Sequence, residues 1–113
     1  MTLLSAGPDD GSAMRARMQA ACERFEDLRG LTPAAMAQRI RDLGIDLLVD
    51  VKGATHGTLM PVTAHRAAPL QVSWLGFPGS TGAAYVDYFI GDPVTTPLAH
   101  AAHFSEKIAQ MPL

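Results

Sequence analysis

The segment Ile45-Asp46-Leu47-Leu48-Val49-Asp50-Val51 restricts what this chain can fold into more than any other stretch. Gly44 stands before it and Gly53 after it, so the apolar run is too short for a helix and reads as a strand. Its interior is apolar on both faces, the pattern of a parallel strand covered by helices on both sides. The preceding segment agrees. Thr32 suits an N-cap and Pro33 the first helical position. Met36, Ala37, Ile40 and Leu43 recur along one face, and Gly44 ends the helix.

The rest of the chain alternates in the same way. Leu3 and Leu4 read as a strand tail entering the turn Gly7-Pro8-Asp9-Asp10-Gly11, with Asp10 or Ser12 as the next N-cap. Met14, Met18, Ala21, Cys22 and Phe25 fall at helical spacing and predict one buried stripe, followed by a short strand at 25–28. A helix over 58–65, strands at 69–75 and 88–90, a short helix from Thr96-Pro97 to His103 and a strand at 108–111 complete the series. Such alternation predicts an α/β fold: a Rossmann-like parallel sheet with flanking helices and right-handed crossovers. The chain opens inside an apolar strand and stops at Met111-Pro112-Leu113. Residues 1–113 are therefore expected to be a partial lobe, with unpaired sheet edges open to self-association.

Composition narrows the partners. With 9 Lys+Arg against 11 Asp+Glu, the net charge of -2 offers no footprint for nucleic acid or an anionic membrane. Hydrophobic residues at 48% and charged residues at 18% are those of a globular chain. A single cysteine, Cys22, permits no internal disulfide, and no run approaches the ~18 apolar residues of a membrane span. A cytoplasmic protein is the expectation.

In open α/β sheets, ligands bind beyond the carboxyl ends of the strands. Three segments lie at such ends: 50–57, 76–82 and 91–93. Gly76-Phe77-Pro78-Gly79-Ser80-Thr81-Gly82 is the most informative, since its glycines let backbone approach a ligand and offer N–H donors to a sugar or phosphate. The same residues also suit a plain βα connection. The stretch lacks the Gly-Lys-Ser/Thr ending of a phosphate-binding loop, and its glycine spacing differs from the dinucleotide fingerprint. His56 stands where it could touch a polar ligand or simply face water. His100 and His103 lie three apart with no third ligand, so neither metal nor other cofactor is expected. Asp50 is placed to hydrogen-bond the turn that follows it. Trp74 reads as core.

These residues resemble a known family. The blocks Ile45 to Gly53, Arg66 to Ala83 (with Leu75-Gly76-Phe77-Pro78-Gly79 the most specific), Asp87-Tyr88 and Phe104-Ser105-Glu106-Lys107 are similar to the O-GlcNAc transferase/SPINDLY family, as is the turn Ser5 to Ser12. The resemblance implies part of the amino-terminal lobe of a GT-B glycosyltransferase, an enzyme with two Rossmann-like lobes around a cleft. Members move a sugar, typically N-acetylglucosamine, from UDP-GlcNAc to Ser or Thr of an acceptor protein. It also implies that Leu75, Gly76 and Pro78 lie against the donor sugar, with Phe77, Gly79 and His56 as further candidates. No catalytic residue is expected here, because the family's active-site histidine and aspartate come from before Met1 and its nucleotide-binding lysine and aspartate from beyond Leu113. Half a cleft cannot stabilise a leaving diphosphate, so the isolated chain is expected to be inactive. The alternative is a non-catalytic α/β interaction or small-ligand module.

This chain also departs from the family. Ala67 stands where a proline is usual, Ala54 where tyrosine is frequent, His56 for lysine and Leu59 for arginine. Phe77 and Phe104 replace tyrosines.

Overall fold

The computed structural model describes residues 1–112. They form two compact units, 1–32 and 33–112, each taken by itself.

In the first unit, β1 (Thr2–Ser5) pairs in parallel with β2 (Arg24–Asp27), from Thr2 opposite Arg24 to Ser5 opposite Asp27. Helix α1 (Ala13–Ala21) crosses between them. Ser12 is its N-cap: the hydroxyl accepts the Arg15 amide at 3.1 Å. Arg15 braces the unit. Its guanidinium donates to Ser5 Oγ and Asp27 Oδ2, and lies 5.1 Å from the Phe25 ring centroid. The stripe predicted on α1 is not buried. Met14 is 62% exposed, Met18 is exposed as well, and Phe25 lies in β2 rather than on the helix. Two short strands offer too little sheet to cover a helix face.

In the second unit, four parallel strands run in the order β3 (Leu47–Asp50), β4 (Leu70–Trp74), β5 (Tyr88–Gly91), β6 (Lys107–Gln110). Helix α2 (Pro33–Asp42) precedes β3 and ends before Gly44, whose φ of 69° is the left-handed stop expected there. One turn of helix, α3 (Met60–Thr63), leads toward β4, and a 3-10 helix (Leu98–His103) leads toward β6. Ala37 and Ile40 of α2 are buried, and Arg41 donates to the carbonyls of His65 and Arg66 just after α3.

Register decides the two faces. Leu48 with Gln71 and Asp50 with Ser73 share one face; Leu47 with Leu70 and Val49 with Val72 share the other. The first face is packed. Phe89 packs at a tilt on Phe104, their centroids 5.0 Å apart. On the second face Leu47, Val49, Leu70 and Trp74 are exposed, as is Val51 just beyond it. Covering by helices on both sides, expected for 45–51, is therefore corrected: the helical packing seen lies on the face of Gln71 and Phe89, and Trp74 is not core.

Gln71 holds the packed face together. At 1% exposure it accepts the Ala67 amide at 2.9 Å and donates to the carbonyls of Thr63 and Tyr85 at 2.9 and 2.8 Å. Proline at 67 has no N–H to give, so the alanine at this position supplies one of these bonds. The Gln71 amide donates to Asp87, whose carboxylate also pairs with Arg66 through both guanidinium nitrogens. Replacing Gln71 with Leu strands two buried backbone groups and one part-buried, and is expected to cost about 3 kcal/mol. Urea denaturation checks this, with exposed Gln38→Ala as a control expected to change stability by less than about 0.5 kcal/mol.

Candidate functional site at the strand tips

All three predicted loops stand at the carboxyl ends of parallel strands: 51–59 after β3, 75–87 after β4 and 92–97 after β5. Two of them interlock. A Cβ on Gly76 would lie 2.4 to 2.5 Å from the backbone of Lys52, so only glycine allows this contact. Reciprocally, a Cβ on Gly53 would meet Phe77 Cβ at 2.9 Å, and Gly53 holds a φ of 62°. Asp50 braces the first loop as expected, accepting the amides of Lys52 and Gly53 at 2.9 and 3.2 Å. Thr58 closes it with a 2.7 Å bond to the Gly53 carbonyl.

Leu75 turns the chain between β4 and this contact. Its φ is 70°, and the Gly76 amide donates across it to the Trp74 carbonyl at 3.0 Å. This is a γ-turn of the rare positive-φ form, strained for a residue with a side chain. The turn holds the Leu75 side chain away from the protein, 77% exposed. Pro78 is exposed too, and Gly79 lies against the Phe77 ring, where a Cβ would sit 3.1 Å from Cε1.

The N–H donors expected of this loop are committed only in part. The amides of Gly76, Thr81, Gly82 and Ala83 are not open donors, for they bond to Trp74, Glu106, Ser80 and Thr81 respectively. Among the described residues no hydrogen-bond acceptor meets the amides of Phe77, Gly79 and Ser80, so the middle of the loop keeps the donors expected of it. Sequence reading gave no role to Glu106, although it lay within a block of family resemblance. Burial pushes its carboxyl up, and hydrogen bonds from Thr81 and Ser80 more than offset this, leaving it below the ordinary glutamate value.

His56 is exposed in the loop that carries Gly53. Asp92 turns inward to accept the amides of Val94 and Thr95 at 2.8 and 2.7 Å, and hydrogen bonding to Thr95 is the main reason its carboxyl lies low. His100 and His103 stack 5.7 Å apart, and among the described residues no cluster of three or more metal-ligating side chains occurs. Each unit also carries a shallow hollow. One, of about 300 Å3, is bounded by Leu3, Met14, Arg15 and Phe25; the other, of about 410 Å3, by Arg41, Asp46, Arg66 and Pro69 at the opposite end of the strands. The strand-tip site, chosen on topology and strain, coincides with neither.

A parallel α/β sheet carrying glycine loops at its carboxyl ends defines part of a Rossmann-like lobe of the GT-B kind. Comparison with known proteins narrows the class. A model of glycosyl transferase family 41 matches residues 2–113. The chain is 38% identical over 104 residues to a probable UDP-N-acetylglucosamine–peptide N-acetylglucosaminyltransferase SEC of Arabidopsis thaliana, covering 92% of this chain and 11% of that protein. It is 40% identical over 105 residues to the UDP-N-acetylglucosamine–peptide N-acetylglucosaminyltransferase of Caenorhabditis elegans, covering 92% and 9%. The solved Thermobaculum terrenum O-GlcNAc transferase mutant K341M superposes with a TM-score of 0.91 at 30% identity, over 97% of this chain and 21% of that one. The chain belongs to glycosyl transferase family 41, the family of the O-GlcNAc transferases and SPINDLY proteins, and spans about a tenth of the length of these curated relatives.

Gly76→Ala should displace the loop and cost about 2 kcal/mol, because the obstacle is backbone rather than a movable side chain. Gly82→Ala meets open space and pays only for its φ of 66°, about 1 kcal/mol, so thermal denaturation should rank the two in that order. Acid should also weaken this unit. Asp87, lowered chiefly by its Arg66 bond, and Glu106 both sit below their unfolded values. Their contribution is complete above about pH 4.5 and is lost as pH falls through the folded values. The urea midpoint should therefore drop on acidification below about pH 4.5, and less so in Asp87→Asn than in the parent.

Proposed function

We propose that Leu75, Gly76 and Pro78 form the donor-sugar wall of a transferase cleft, with Phe77, Gly79 and His56 around it. The enzyme moves N-acetylglucosamine from UDP-GlcNAc to Ser or Thr hydroxyls of an acceptor protein. The observation that carries this reading is the strained, exposed Leu75 standing at the tip of an inner parallel strand. A folded chain keeps an apolar side chain at positive φ in water at a cost, which contact with a bound ligand would offset. Gly76 lets the two loops close up behind the sugar, and Leu75 and Pro78 meet its apolar face. The printed names of the Arabidopsis and nematode relatives give that donor and a peptide acceptor for those proteins.

On this reading residues 1–113 are one section of the amino-terminal lobe, and the cleft is completed by other parts of a longer enzyme. The segment binds and orients the donor but supplies no proton-transfer group, so the isolated chain is inactive. Its lone cysteine suits the cytoplasm. Among the described residues no helix is long and apolar enough to cross a membrane.

One observation favours a second reading, an interaction module. The exposed apolar face of Leu47, Val49, Leu70 and Trp74, with β3 and β6 as outer strands, suits association of the isolated chain with itself. Sedimentation of the isolated chain should show dimers or larger species, and a strictly monomeric chain would speak against that surface.

With radiolabelled UDP-GlcNAc and a Ser/Thr peptide, the isolated chain should transfer nothing. In the full-length transferase, Leu75→Ala should raise the KM for UDP-GlcNAc about five- to tenfold while leaving the peptide KM unchanged, the mark of lost donor contact. An unchanged donor KM would remove Leu75 from the site.

A further inference from the structure

Glu106 lies beyond the 3-10 helix, 25 residues from Thr81, yet its carboxylate is committed to the loop after β4. The residue is 4% exposed. One oxygen accepts the Ser80 hydroxyl at 2.7 Å; the other accepts the Thr81 amide at 2.7 Å and the Thr81 hydroxyl. The two hydroxyls then act as acceptors in turn. Ser80 Oγ receives the amides of Gly82 and Ser105, each at 3.1 Å, and Thr81 Oγ1 receives the Ala83 amide at 3.2 Å. An ionised carboxylate only accepts and an amide only donates, so the Ser80 and Thr81 hydroxyl protons point to Glu106, while the Ser105 hydroxyl lies 3.2 Å from Ser80 Oγ. The carboxylate is the element that orders the rest.

Such a network is an expensive way to close a loop. A connection needing only closure can use turn geometry alone, whereas here a buried charge is solvated by hydroxyls and an amide from one short segment. That segment follows directly on Leu75 to Gly79. We infer that Glu106 is a positioning residue: it anchors the far end of the 76–82 loop, as Gly76 on Lys52 anchors the near end, and so fixes the shape in which the loop receives the donor sugar. This rests on the donor-wall reading above.

The test uses the full-length transferase carrying this chain, with Glu106→Ala and Glu106→Gln, read by hydrogen–deuterium exchange and by kinetics varied separately in UDP-GlcNAc and peptide. In Glu106→Ala the Thr81, Gly82 and Ala83 amides should exchange about tenfold faster or more, since bonds to a charged acceptor are lost. The donor KM should rise by a similar factor, with kcat and the peptide KM within about twofold of the parent. Glutamine keeps one acceptor oxygen and should fall between parent and alanine on both measures. If alanine does not fold, the glutamine variant decides the matter alone. Unchanged exchange would show that Glu106 does not hold the loop. Faster exchange with an unchanged donor KM would instead sink the donor-wall reading, and equal losses in both substrates would reduce Glu106 to a general brace.

Discussion

The contact of Gly76 with the backbone of Lys52 is the constraint on which the strand-tip architecture depends. Backbone meets backbone there with no room for a single methyl group, so the loops after β3 and β4 cannot move independently. Phe77 fills the reciprocal space over Gly53. Once these are set, the chain can leave Trp74 only through a sharp turn, and the positive φ of Leu75 follows. The exposed leucine is thus a consequence of close packing behind it. Local strain is tolerated because the surroundings over-determine the geometry.

Below the tips, polar groups perform work that the small apolar core cannot. Gln71, Asp87 and Arg66 tie α3 and the segment before β5 to the middle of the sheet. Glu106 ties the next loop to the start of β6. The Gln71 and Glu106 side chains are buried, and each oxygen and nitrogen of theirs has a partner, which makes each specific and intolerant of partial loss. By contrast the second sheet face is exposed at Leu47, Val49, Leu70 and Trp74, and of the β3 and β4 residues on it only Val72 is buried. Parallel sheets are ordinarily covered on both faces, so this surface is where the described residues are least self-sufficient.

Much of the fold was legible because it rests on local chemistry. Pro33 and Gly44 bracket α2 as their backbone preferences require, Ser12 caps α1, and Asp50 ties down the turn after β3. The position of the 76–82 loop was legible too, since a glycine-rich segment following an apolar strand in a βαβ pattern has to emerge at the carboxyl edge. The burial of α1 and of both faces of β3 was misread for one reason. Periodicity reports that a face is apolar, while its covering depends on how much structure is available to lie over it. That the Thr81 amide is committed was not legible, because its acceptor comes from residue 106, outside any local window.

The order of elements, the parallel pairing and the placing of a glycine loop at a strand tip were settled by the amino-acid sequence alone. Each follows from turn chemistry and apolar spacing over a few neighbouring residues. Tertiary structure alone decided that Gly76 must be glycine against Lys52, that Leu75 stands out strained into water, and that Glu106 organises a loop 25 residues away. Those features arise where distant backbones and side chains meet. Excluded volume and hydrogen-bond satisfaction act between such groups only after the chain has folded.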